Sequence, residues 1–157
     1  MELLEKIKAF KAEGHKVVFT NGVFDILHVG HLHCLEAAKS HGTILVVGIN
    51  DDNSVKTLGK GDNRPINTQE NRAQLLKGLE CVDEVVIFTQ ETPLELIKAI
   101  QPDVLVKGGD YDATIEDEKD PNYIVGSLEV KSWGGMVLTI DLLPGHSTTN
   151  ILNSFLF

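Results

Sequence analysis

His28 and His31 stand three residues apart with Gly30 between them, within Gly22-Val23-Phe24-Asp25-Ile26-Leu27-His28-Val29-Gly30-His31. The string lies where an apolar run, Val17-Val18-Phe19-Thr20, gives way to a segment that reads as helix from His28 to Ser40. A helix start presents unpaired backbone N–H groups and a partial positive charge, which suits a phosphate. Gly30 has no side chain, so a flat ligand can approach the backbone there. Two imidazoles beside those amides can donate hydrogen bonds to a polyphosphate, which is nucleotide chemistry. An isolated His-x-x-His pair is equally well explained by capping or packing. His28, His31 and His33 could also ligate a metal, but Cys34 falls on a different helix face from His31 and leaves a zinc set incomplete.

Phosphate binding needs positive charge, and this chain has little to spare. Its formal net charge is −9, which argues against broad binding to nucleic acid or to an anionic membrane. Its two arginines, Arg64 and Arg72, both follow the second expected strand, close to Lys56 and Lys60. A guanidinium fork donates two parallel hydrogen bonds to phosphate, so Arg64 is the stronger candidate, while Lys56 is equally well explained as solvated surface charge.

The elements that must position these residues alternate. Strands are expected at Val17–Thr20, Thr43–Ile49, Val85–Phe88, Asp103–Lys107 and Met136–Ile140. Helices are expected at Met1–Glu13, at His28–Ser40, after an Asn67 cap with Glu70 as its box partner, and after Thr92-Pro93-Leu94-Glu95. Further helices are expected from Tyr123 to Lys131 and after a Ser147 or Thr148 cap, while Asn50 to Ile66 reads as a long polar loop. Strands apolar throughout imply a parallel sheet covered on both faces. The expected fold is α/β: a Rossmann-like, doubly wound, five-stranded parallel sheet with helices on both faces, forming one domain over residues 1–157. Ligands of such sheets bind beyond the carboxyl ends of the strands, so the histidine string, the Lys60–Arg64 loop, Lys107–Asp110 and the Ser147 turn should converge. No apolar run approaches the ~20 residues of a membrane span, no signal-peptide pattern is present, and two cysteines are too few for a disulfide framework. The cytoplasm is the expected location.

Several separated segments carry a resemblance. They are the Gly-x-Phe-Asp-x-x-His-x-Gly-His string, Asn50-Asp51-Asp52-Asn53-Ser54-Val55, and Arg64-Pro65-Ile66-Asn67 with Arg72. Lys107-Gly108-Gly109-Asp110-Tyr111 and Gly145-His146-Ser147-Thr148-Thr149 complete the set. Together they resemble the H-x-G-H nucleotidylyltransferase superfamily, and within it the adenylyltransferase domains of bacterial ADP-heptose synthesis. Glycerol-3-phosphate cytidylyltransferases are similar but carry an arginine shortly before the Ser-Thr-Thr motif, where this chain has Leu142-Leu143-Pro144-Gly145-His146. The acidic stretch Glu116-Asp117-Glu118-Lys119-Asp120 departs from the family pattern, as does His146 at a position where cysteine is frequent.

The resemblance implies adenylyl transfer from ATP to a sugar 1-phosphate, with D-glycero-β-D-manno-heptose 1-phosphate as the expected acceptor. It implies that His28, His31, Lys60 and Arg64 are catalytic. Asn21, Gly22, Val23, Phe24, Gly30, His31, Lys107, Ser147, Thr148 and Thr149 would bind the nucleotide. Asp25, Arg72, Gly109 and Asp110 would serve the acceptor, with Asp25 and Arg72 alternatively shaping the loop. It implies Mg²⁺ carried with ATP rather than a protein metal site, a homodimer as a common state, and a separate sugar kinase upstream. Cytidylyl transfer to an alcohol phosphate, FAD synthesis and a catalytically silent nucleotide-binding module are the competing expectations.

Overall fold

The computed structural model describes residues 2–155. Its first helix, α1 (Glu2–Ala12), is the expected amphipathic one, and Met1 lies outside the described residues. Five strands follow the anticipated positions: β1 (Val17–Gly22), β2 (Ile44–Asn50), β3 (Glu84–Phe88), β4 (Val104–Gly108) and β5 (Met136–Ile140). They pair in parallel in the order β3-β2-β1-β4-β5. Strand order therefore reverses between β1 and β4, and the crevice beyond their carboxyl ends is where a ligand is received.

Alternation along each strand sends side chains to two cores. Val17 and Phe19 of β1 pack with Ile44, Val46 and Leu105 against Ile7 of α1, Ile97 and Ile100 of α5 (Leu94–Ile100), and Val130 of α6 (Ser127–Ser132). Val18 joins Leu45, Val47, Val104 and Val106 on the opposite face, against Leu35 and Ala38 of α2 (Val29–Lys39) and Ala73 and Leu76 of α4 (Gln69–Lys77). Burial on both faces is why these strands read as continuous apolar runs. Among the described residues no helix is long and apolar enough to cross a membrane.

Three local expectations are corrected. The segment after β2 is not all loop: α3 (Asp52–Thr57) forms there, capped by Asp51, whose carboxylate accepts from Ser54 N at 2.8 Å. The cap of α4 is Thr68 rather than Asn67, with Asn71 N donating to its hydroxyl at 3.2 Å; Glu70 then falls one position early for a capping box. Helix α6 starts at Ser127 rather than Tyr123, because Gly126 before it has a φ of 89°, outside the helical region. A smaller shift places Pro93 at the cap of α5, with the Thr92 hydroxyl 3.5 Å from Leu94 N. The last helix, α7 (Thr148–Asn153), is capped by Ser147, which accepts from Asn150 N at 3.0 Å.

Candidate active site

β1 ends in a turn that holds Phe24 at a φ of 52°, a left-handed conformation that costs a bulky L-residue free energy and concentrates at functional sites. The turn delivers His28 to the N-cap of α2, where its Nδ1 accepts from Gly30 N at 3.0 Å. A nitrogen that accepts carries no proton, so neutral His28 holds its hydrogen on Nε2, free to donate. The ring of His31, one helical turn on, stacks on that of His28, and Phe24 meets His31 edge-on with centroids 5.1 Å apart. Burial, with the charges of His28 and Lys60 nearby, pushes His31 down to about 4. Burial and the charge of His146 also hold His28 below its ordinary value. His31 is therefore a neutral imidazole near pH 7, and its Nδ1 is buried with no hydrogen-bond partner among the described residues.

Gly30 is packed on two sides. A Cβ there would lie 2.8 Å from His28 Cε1 and 3.1 Å from the His146 carbonyl oxygen. The missing side chain thus makes room for the histidine ring and for the chain before α7, while Gly30 still lines the cavity beside them.

The segment between α3 and α4 is tied to β1 through Asp25. The Asp25 carboxylate is buried and accepts from Arg64 Nε at 2.6 Å and from the amides of Ile66 and Asn67 at 2.9 Å. The Asn67 side chain donates to the Asp25 carbonyl. Desolvation alone would raise the Asp25 pKa, but the two amides and the Arg64 guanidinium outweigh it and hold the carboxyl below its usual value. Arg64 spends its Nε on Asp25, while its side chain lines the histidine cavity.

Arg72 lies beneath the site rather than in it. Its side chain is fully buried and donates to the carbonyls of Asn67, Val23 and Asn50 and to Asp52 Oδ1, at 2.8–3.0 Å. With its guanidinium committed to the chain and closed off from solvent, it has no surface to offer a substrate. The Asp25 carboxylate is likewise committed, to Arg64 and the amides of Ile66 and Asn67, and closed to solvent, although Asp25 belongs to the wall of the histidine cavity.

Two cavities adjoin at the carboxyl ends of the strands. One, of about 260 Å³, is lined by Val23, Phe24, His28, Gly30, His31, Lys60, Arg64 and the Leu142–Thr149 region, including Ser147, Thr148 and Thr149. The other, of about 380 Å³, is lined by Asn21, Gly22, Val23, Asn50, Lys60, Glu91, Thr92, Lys107, Tyr111 and Ile124. Val23 and Lys60 belong to both walls. Gly109 and Asp110 line neither cavity, and Asp110 is exposed. The acidic stretch 116–120 also lies outside both. Sequence reasoning missed Asn50, Glu91 and Thr92; their signal was position, since each follows or ends a strand on the binding edge. His146, a departure from the family pattern in the sequence, lines the smaller cavity.

Residues 19–153 match the family model described as cytidylyltransferase-like. The chain belongs to the cytidylyltransferase-like family. Within it, this nucleotidyltransferase is 58% identical over 139 residues to the bifunctional protein HldE of Helicobacter hepaticus, covering 88% of this chain and 26% of that protein. It is 49% identical over 150 residues to HldE of Methylobacillus flagellatus, covering 96% of this chain and 29% of the relative. The chain thus spans under a third of the length of these curated relatives. A crystal structure of the lipopolysaccharide core biosynthesis protein of Thermoplasma volcanium is similar at 26% identity, with a TM-score of 0.63 over 82% of this chain and 97% of that one. The cytidylyltransferase-like sheet and the H-x-G-H turn at its switch point are therefore the same feature seen twice, in sequence and in space.

Proposed function

We propose that this protein transfers the adenylyl group of ATP to a sugar 1-phosphate, D-glycero-β-D-manno-heptose 1-phosphate, releasing pyrophosphate and an ADP-sugar. The observation that carries this reading is the pair of adjoining cavities that share Lys60, one lined by the neutral imidazoles of His28 and His31 and the other by Asn50, Glu91, Thr92 and Lys107. The nucleotide occupies the first, with its phosphates between His28, His31, Arg64 and the start of α7. The acceptor occupies the second, and its phosphate oxygen faces the α-phosphorus at Lys60.

That oxygen attacks in line: a new P–O bond forms at the α-phosphorus, the bridging bond to the β-phosphate breaks, and the electron pair leaves with pyrophosphate. No enzyme nucleophile is needed, so catalysis is positioning plus stabilisation of charge on the phosphoryl oxygens. The His28 Nε2–H and the His31 ring donate to those oxygens, and Lys60 and Arg64 supply positive charge from the loop. No group of three or more histidine, cysteine or carboxylate side chains among the described residues is placed to hold a metal. A Mg²⁺ ion brought in on the ATP phosphates would neutralise charge on the leaving pyrophosphate. A sugar kinase must supply the phosphorylated acceptor.

Pyrophosphate release tests the reading, with ATP or CTP offered against heptose 1-phosphate, hexose 1-phosphates, glycerol 3-phosphate and FMN. Release with ATP and heptose 1-phosphate alone is the expected result. Release with CTP and glycerol 3-phosphate, or with FMN, moves the chain to another branch of the superfamily. ATP binding without release from any acceptor makes it a silent nucleotide-binding module.

A further inference from the structure

Lys107 ends up at the switch point of the sheet, on the wall of the larger cavity. Its ammonium donates to the Asn21 carbonyl at 3.1 Å and stands 5.1 Å from the Tyr111 ring centroid. An ammonium has three N–H donors, and the other two have no hydrogen-bond acceptor among the described residues. Nor does Lys107 take part in any ion pair among them. The charged and titratable groups sharing its cavity are Lys60 from the segment after α3, Tyr111 from the loop after β4, and Glu91 from the loop after β3. Glu91 is the one acid of that set, and it pairs with neither lysine.

A cation crowded by protein, facing a second cation and without a carboxylate, is costly unless an anion joins it. The smaller cavity already gives a triphosphate its own donors, in His28, His31, Arg64 and the α7 start. We propose that Lys107, with Lys60, forms the anion site for the phosphate of the acceptor, in the larger cavity and separate from the nucleotide's phosphates. This rests on the phosphoryl-acceptor reading above, and it reassigns Lys107 from the nucleotide contact that the resemblance implied. The acceptor must then carry a phosphate at its attacking end. Its remaining hydroxyls meet Asn50, Glu91 and Thr92, a wall suited to a polyhydroxylated molecule.

Burial, then the charge of Lys60, lowers Lys107 to about 8. In the free enzyme a large share of Lys107 is neutral at pH 8, and a dianionic phosphate favours its charged form. Acceptor binding at that pH draws in a proton, and the acceptor KM rises as pH climbs past 8.

The test measures KM for ATP and for the acceptor separately, in wild type, Lys107→Met and Lys107→Arg, using whichever phosphorylated acceptor of the panel turns over. Loss of a charge-assisted contact is expected to raise the acceptor KM of Lys107→Met about 10- to 100-fold. The KM for ATP should stay nearly constant. Lys107→Arg should recover part of the affinity and lose the alkaline rise. Calorimetry of acceptor binding at pH 8, in two buffers of different ionisation enthalpy, should show proton uptake in wild type and none in Lys107→Met.

A rise confined to the ATP KM, or no change in either, overturns the proposal. Turnover of glycerol 3-phosphate in place of heptose 1-phosphate would remove the sugar assignment while leaving this test intact. Should no acceptor turn over, inorganic phosphate is titrated onto enzyme saturated with α,β-methylene-ATP. Binding by wild type that is lost in Lys107→Met supports the site. Equal binding, or none in wild type, overturns it.

Discussion

The imidazole rings of His28 and His31 are stacked with their centroids 3.8 Å apart and their planes 23° from parallel. Two imidazolium rings at that separation would repel, and both groups are held below the ordinary histidine value. The pair is therefore neutral near pH 7, held by the Gly30 amide on one side and the Phe24 ring on the other.

Replacing His31 by Ala removes one donor and the stacking partner of the other. Turnover should fall on the order of 10²- to 10³-fold, the usual cost of deleting a donor to developing oxyanion charge. Pyrophosphate release at saturating ATP measures it, with the circular dichroism spectrum as the check on folding. A drop of only a few-fold would remove His31 from the chemistry.

The histidine pair also makes stability depend on pH. Folded His31 titrates at about 4, whereas in the unfolded chain it does so near 6.5. Between those values the unfolded state binds a proton that the folded state does not, so stability falls as pH drops from 6.5 towards 4. His31→Gln lacks this penalty. Its Tm should gain on that of wild type as pH is lowered across the window, and parallel Tm-against-pH curves would contradict the placement.

Asp25→Asn keeps the shape but removes the charge that faces Arg64. A buried guanidinium then loses its counter-ion, a change that typically costs about 3–5 kcal/mol. The 58–68 segment should loosen and turnover should fall together with Tm. An unchanged Tm with lowered turnover would instead make Asp25 a direct substrate contact.

Arg72→Lys tests a strut against a ligand contact. Lysine cannot span three carbonyls and Asp52 with one ammonium, so unfolding should occur at lower denaturant, by about 2–4 kcal/mol. At temperatures where the variant stays folded, the KM for ATP and for the acceptor should remain within a few-fold of wild type. A selective rise in either KM would return Arg72 to the substrate.

Much of this molecule was legible in its sequence because burial leaves a periodic mark. The five strands are apolar runs of the expected length, and each lies in the sheet within a residue or two of its anticipated bounds. The H-x-G-H turn was legible for another reason: it is a set of residue types at fixed spacing along one turn, which a linear string can encode. The same holds for the Ser147 cap, a local contact three residues long.

Relations between distant segments were not legible. Asp25 and Arg64 are 39 residues apart, and only folding shows that the Arg64 Nε donates to the Asp25 carboxylate. Arg72 carries the same side chain as Arg64, yet one guanidinium lines a cavity and the other is sealed beneath it. The 50–66 segment looked like loop because its polar residues are consumed by caps and tertiary bonds, which leave no apolar period to read. Residue type and spacing along the chain thus set the strands, the caps and the donor turn. Which charges stay open to a ligand was decided by long-range packing, because a charge is neutralised by whatever lies within a few ångströms in space, however far off it is in sequence.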